Sequence, residues 1–123
     1  MTNITDNALA IDGALQPQGH VQVLLNMLRG LTAQAALDAP QFCITAGELD
    51  KKVNSQVFLE EGITEETIAK LQNMGHTVGV VTGFDRGMMG RGQIIQKVNN
   101  ESGILVWAAG SDSRADGHAA AQI

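Results

Sequence analysis

The residues best placed to do chemistry lie in one short stretch. Asp12-Gly13 is followed by Ala14-Leu15-Gln16-Pro17-Gln18-Gly19-His20 and then by an apolar run from Val21 to Leu28. Pro17 suits a first helical turn, where its missing N–H costs nothing. Val21, Leu24, Leu25 and Leu28 recur at spacings of three and four, which predicts one buried helical face. A helix starting there aims its free N–H groups at the residues around Asp12-Gly13. Such an end can hold a carboxylate or a developing oxyanion. Every helix has this polarity, so a loop-to-helix join packed on a sheet is the simpler reading.

Other candidates are weaker. Gly87-Met88-Met89-Gly90-Arg91-Gly92 has glycines at a spacing that resembles a phosphate loop. No Lys-Ser/Thr follows, no GxGxxG is present, and a strand comes next, so a structural turn is expected. His20, His76 and His118 show no metal-ligand spacing. His76 follows Gly75 at a helix end, where a cation is welcome, and His20 is expected in the first turn of the first helix. Neither is expected to act as a base. Cys43 sits in an apolar strand, where cysteines are usually inert packing residues. In Ser111-Asp112-Ser113-Arg114-Ala115-Asp116-Gly117, Asp112 and Arg114 are expected to brace the loop as an ion pair. Contact of Arg114 with a carboxylate substrate is the alternative.

The elements that must position these residues can be read in order. Residues 1–11 have no firm pattern beyond a short strand or arm. The first helix spans about Pro17 to Arg29, closed by Gly30. Thr32 caps a short helix to Asp38, which ends before Pro40. Gln41–Thr45 and Gln56–Glu60 read as strands. Thr64 caps a third helix whose Glu65 and Glu66 suit its positive end. Ile63 can staple to Ile68 across that cap. Ile68, Leu71 and Met74 are expected on one face, with Gly75 as terminator. Thr77–Thr82 reads as a buried strand. Gln93–Val98 and Ile104–Ala108 pair across a turn-forming cluster. The order suggests a mixed α/β or α+β fold, with helices on one face of a largely antiparallel sheet. Val78, Val80, Val81, Ile94, Ile95, Leu105 and Trp107 supply two apolar faces, more than so few helices can cover.

Composition bounds the function. The chain has 123 residues, with a net charge of −5, three Phe, one Trp and no Tyr. That length fits one domain. A negative chain without a basic run or aromatic platform is a poor nucleic-acid binder. No stretch approaches the roughly 18 apolar residues of a membrane span. The N-terminus has no signal-peptide pattern, and a single cysteine is consistent with the cytosol. No metal or other cofactor is expected.

Several phrases occur together and in order: Gln16-Pro17-Gln18-Gly19-His20-Val21-Gln22-Val23-Leu24-Leu25-Asn26, Ala36-Leu37-Asp38-Ala39-Pro40-Gln41-Phe42, Leu59-Glu60-Glu61-Gly62-Ile63, Gly75-His76-Thr77-Val78, Gly90-Arg91-Gly92-Gln93-Ile94-Ile95 and Gly110 to Gly117. They closely resemble the C-terminal end of γ-glutamyltranspeptidase-like proteins, or glutathione hydrolases. The resemblance covers residues 12–123 and leaves 1–11 as an unpatterned arm. It implies an N-terminal-nucleophile hydrolase fold, an αββα sandwich of two stacked antiparallel sheets between helical layers. In that family a proenzyme cuts itself and frees a threonine, which attacks a γ-glutamyl amide with its own α-amine as base. The acyl group then passes to water or to an acceptor amine.

The resemblance implies only the last part of the small subunit. The nucleophile would lie upstream of residue 1, because Thr2 and Thr5 lack its motif. The large subunit, with the arginine that grips the glutamyl carboxylate, is absent too. One element carries over. A Gly-Gly pair that supplies oxyanion-hole N–H groups falls at Asp12 and Gly13. Gly13 matches and Asp12 departs, placing a carboxylate that is unfavourable beside an oxyanion unless it points away. Gln41, where arginine is common, and Ser113, where proline is common, depart as well.

The implied partners are the missing N-terminal part or large subunit, or a further copy of the chain. A γ-glutamyl substrate would bind only the complete enzyme. A free-standing interaction protein that keeps part of the fold is the alternative. At about 25 cal/mol per Å², a few hundred Å² of uncovered apolar surface forfeits several kcal/mol. A chain with a total stability of roughly 5–15 kcal/mol is then expected to be marginal, or to associate.

Overall fold

A computed structural model describes residues 7–12, 16–45, 55–99 and 101–121. The chain divides into two compact units, one from residues 1–39 and 90–123, the other from Pro40–Met89. The first contains β1 (Asn7–Asp12), α1 (Gln16–Leu28), α2 (Ala33–Asp38), β5 (Arg91–Asn99) and β6 (Leu105–Ser111). The second contains β2 (Phe42–Thr45), β3 (Gln56–Glu60), α3 (Glu65–Asn73), β4 (Thr77–Val81) and a 3-10 turn, Gly83–Met89. The strands that the sequence suggested as one sheet form two three-stranded sheets, ordered β1-β5-β6 and β2-β3-β4.

In the first unit both strand pairs are antiparallel, with Asp12 opposite Arg91, Ile94 opposite Gly110 and Trp107 opposite Lys97. Within residues 1–11, read as a short strand or an arm, the chain from Asn7 onward forms an edge strand that runs on to Asp12. Val23 of α1, Ala33, Ala36 and Leu37 of α2, and Ile94 of β5 make the core, with Met27 packed against it. The buried side of α1 therefore runs through Gly19, Val23 and Met27. This corrects the expected face. Val21, Leu25 and Leu28 are exposed, Val21 and Leu28 each 56%, and of the expected face Leu24 alone is half-buried. The helix is apolar on two sides, and periodicity alone cannot say which side meets the sheet.

Capping follows the sequence closely. The Thr32 hydroxyl accepts a bond from Ala35 N–H at 3.2 Å, and that of Thr64 from Thr67 N–H at 3.3 Å. Both longer helices close in the same way. Leu31 N–H reaches Asn26 O and Gly30 N–H reaches Met27 O, while His76 N–H reaches Leu71 O and Gly75 N–H reaches Gln72 O. These are paired Schellman bonds with a positive-φ glycine. Gly110 serves a different need. A Cβ there would lie 2.9 Å from Gln34 N and 3.0 Å from Ala33 C, so only glycine lets α2 rest directly on β6.

In the second unit β2 and β3 are antiparallel, whereas β3 and β4 are parallel and joined through α3. A parallel pair needs such a crossover. α3 buries no residue, and Met74, expected on its packed face, is 74% exposed. β4 is only partly buried, with Val81 inside and Val80 outside. Glu60 is buried. Its carboxylate accepts Gln41 N–H at 2.9 Å, and Arg86 of the 3-10 turn lies 3.6 Å away.

Candidate functional site

The antiparallel order brings the C-terminal end of β1, the start of β5 and the end of β6 to one end of the first sheet. Asp12 closes β1 opposite Arg91, and Ile11 lies opposite Gly92. Gly92 is tied in turn to Asp112, whose N–H donates to Gly92 O at 3.0 Å. α1 begins four positions beyond Asp12, at Gln16. Gly13, the other half of the expected oxyanion element, lies outside the described residues.

Beside this junction is the most connected polar group of the first unit. Asp112 Oδ2 accepts Gly92 N–H at 2.9 Å, while Oδ1 accepts both the N–H and an Nη1 hydrogen of Arg114 at 2.9 Å. Arg114 also donates from Nη1 to Leu37 O at 2.7 Å and from Nη2 to Ala39 O at 3.1 Å. The two side chains are 1% and 2% exposed. A guanidinium this enclosed cannot grip a substrate carboxylate, so Arg114 braces the loop. It also satisfies carbonyls at the C-terminal end of α2, where a cation is favoured. Asp112 spends both oxygens on donors, which fits a structural carboxylate and not a general acid or base.

A second link was not legible in the sequence. The Gln34 side-chain amide donates to Ser111 O at 2.9 Å and accepts from Ser111 N–H at 3.1 Å. It occupies both backbone groups of one β6 residue, as a neighbouring strand would. On the sheet face away from α2, Gln93 Nε2 donates to Ser111 Oγ at 2.7 Å.

His20 is the fifth residue of α1, one position beyond the first turn where it was expected, because the helix starts at Gln16. Its Nε2 is buried without a hydrogen-bond partner among the described residues. Cys43 is buried, and that burial pushes its thiol pKa up. His76 and His118 are exposed. The glycine-rich segment forms the 3-10 turn and leads into β5, with no helix for a phosphate to meet. Among the described residues no three His, Cys, Asp or Glu side chains gather as a metal site. None of the described helices is long and apolar enough to cross a membrane.

The first unit is an α+β layer, an antiparallel sheet with helices on one face; the other face carries the exposed Ile95, Leu105 and Trp107 beside Gln93, Lys97 and Ser111. Solved structures similar to this chain include N-terminal-nucleophile hydrolases. A cephalosporin acylase from Bacillus halodurans matches with a TM-score of 0.71 and 35% identity, over 94% of this chain and 20% of its own. The Bacillus anthracis transpeptidase CapD matches with a TM-score of 0.73 at 16% identity, over 94% of this chain and 63% of its own. The gamma-glutamyltranspeptidase family profile matches residues 11–122, and the chain belongs to that family. No curated protein sequence matches it. The chain spans about a fifth of the acylase and about two-thirds of the CapD chain.

Proposed function

We propose that this chain is the C-terminal scaffold of a γ-glutamyltransferase-like hydrolase, and that it turns over no substrate by itself. One observation carries the reading. The face of the first sheet opposite α2 displays Ile95, Leu105 and Trp107, which are 50%, 46% and 63% exposed. In a sandwich that face meets a second sheet about 10 Å away. The shortfall in length against the acylase agrees with a covering layer supplied by other polypeptide.

In the complete enzyme a threonine from that other polypeptide attacks the γ-glutamyl amide carbon, and its α-amine takes the proton. A backbone N–H at Gly13 is the donor proposed for the oxyanion, where an aligned donor is most effective. Asp12 stands where the resemblance has glycine, and as the partner of Arg91 in the β1–β5 ladder it turns its own N–H toward β5. The Asp112–Arg114 brace holds the end of β5 from which this junction is hung. Collapse of the tetrahedral intermediate breaks the amide C–N bond, and the departing amine takes the proton from the α-amine; water or an acceptor amine then cleaves the acyl-enzyme ester and restores the threonine hydroxyl. The expected partner is the nucleophile-bearing part of the same enzyme.

Incubation of the pure chain with a chromogenic γ-glutamyl amide tests the proposal. No chromophore release is expected. Turnover above background that survives further purification would overturn it.

A further inference from the structure

We infer that the free chain pairs with a second copy of itself through the outer edge of β6. This does not depend on the proposed enzymatic role. It rests on how the β6 backbone groups are disposed.

Asp112 N–H bonds Gly92 O, and Gly92 N–H bonds the Asp112 carboxylate, so the two residues extend the β5–β6 register one step beyond Gln93–Ser111 in the hydrogen-bonded phase. In an antiparallel ladder such pairs alternate with pairs whose backbone groups point away from the partner strand. Gly110, Ala108 and Val106 therefore bond β5, while Ser111, Ala109, Trp107 and Leu105 turn their N–H and C=O outward. The Gln34 amide, bonded to both outward groups of Ser111, independently fixes this phase. Gln34 seals the edge at that end. From Ala109 back to Leu105 no described strand lies alongside.

Natural sheets guard such edges with lysine, proline, a bulge or a covering element. Residues 104–110 contain no charge and no proline, and the β5 register runs through them without a bulge. Ile104, Leu105, Val106 and Trp107 are all substantially exposed. The edge is also self-complementary. Antiparallel pairing about a two-fold axis at Trp107 sets Trp107 opposite its own copy. Leu105 then falls opposite the copy's Ala109, so a large side chain meets a small one. All three outward residues find partners, and the two sheets merge into one of six strands. Such an isologous contact closes as a dimer and does not propagate.

Sedimentation velocity on the 123-residue chain, from micromolar to several hundred micromolar, tests this, with amide exchange measured over the same series. A concentration-dependent dimer is expected. The Leu105, Trp107 and Ala109 amides should slow as it forms, while the Ser111 amide, already bonded to Gln34, should not change. Trp107→Lys, which sets two like charges opposite each other, should weaken the dimer at least tenfold with an unchanged far-UV spectrum. Leu105→Glu serves as a second variant at an exposed position. A monomer throughout the series overturns the inference and leaves the edge to the polypeptide that completes the fold. A dimer or larger species in which the three amides exchange freely also overturns it.

Discussion

Replacing Asp112 with alanine should be the most damaging single change outside the hydrophobic core. The carboxylate accepts three bonds at 2.9 Å, from Gly92 N–H, Arg114 N–H and Arg114 Nη1. Bonds to a charged group contribute about 1.5–3 kcal/mol each, but these share one carboxylate and do not add. The larger cost is the Arg114 guanidinium, left 1% exposed without its counter-charge. Removing one partner of a buried pair costs about 3–5 kcal/mol. Set against a total of roughly 5–15 kcal/mol, that is a large part of the stability. Urea unfolding followed by far-UV circular dichroism gives the loss directly. Amide exchange at Gly92 places it, because this N–H loses its acceptor. Asp112→Asn, which keeps the shape and one acceptor oxygen, should fall between wild type and Asp112→Ala. A loss below about 1 kcal/mol, the size of an exposed ion pair, would refute the bracing role.

Two other perturbations follow from the packing. Gly110→Ala drives a methyl group into the α2 backbone at 2.9 Å, so a loss of about 1–3 kcal/mol is expected in the same urea assay. A loss confined to a few tenths would show that α2 can move off the sheet. Cys43 should resist thiol-specific reagents at pH 8 until the chain is unfolded, because burial holds its pKa up. The folded state keeps this proton longer than the unfolded state does. The contribution is therefore fully present below the ordinary thiol pKa of about 8.5 and is lost as the pH rises through the higher folded value. Cys43→Ala should flatten that alkaline fall, which pH-dependent unfolding measures.

Much of the local structure was legible because it is written in single residues. Thr32 and Thr64 announce helix starts, Gly30 and Gly75 announce ends, and the turn before Leu105 announces a strand pair. The span of β3 was read as observed. What escaped depends on tertiary choice. α1 is apolar on two sides, so the side through Val23 and the side through Val21 compete on equal terms in the pattern. The parallel β3–β4 pairing is decided by where α3 crosses, which no residue states. Gln34 reads as an ordinary helical glutamine, and its role exists only because Gly110 lets α2 lie on β6. The family phrases reached further than periodicity because they specify a whole arrangement at once. They also singled out Asp12-Gly13 as an oxyanion element, of which Gly13 lies outside the described residues.

The first unit is assembled from two sequence-distant pieces, with Pro40–Met89 strung between them. This divides its assembly in time. β5 and β6 form a local hairpin that can close in microseconds. β1 must find β5 across the whole intervening segment, with Asn7 coming to rest opposite Gln96. Non-local pairing of that kind is slow, since chain entropy is lost before any contact repays it. Until β1 arrives, both edges of the hairpin stand open. The interval between hairpin formation and β1 docking is therefore when the nascent chain is most prone to cross-pairing with its neighbours. Refolding yield should accordingly fall as protein concentration rises.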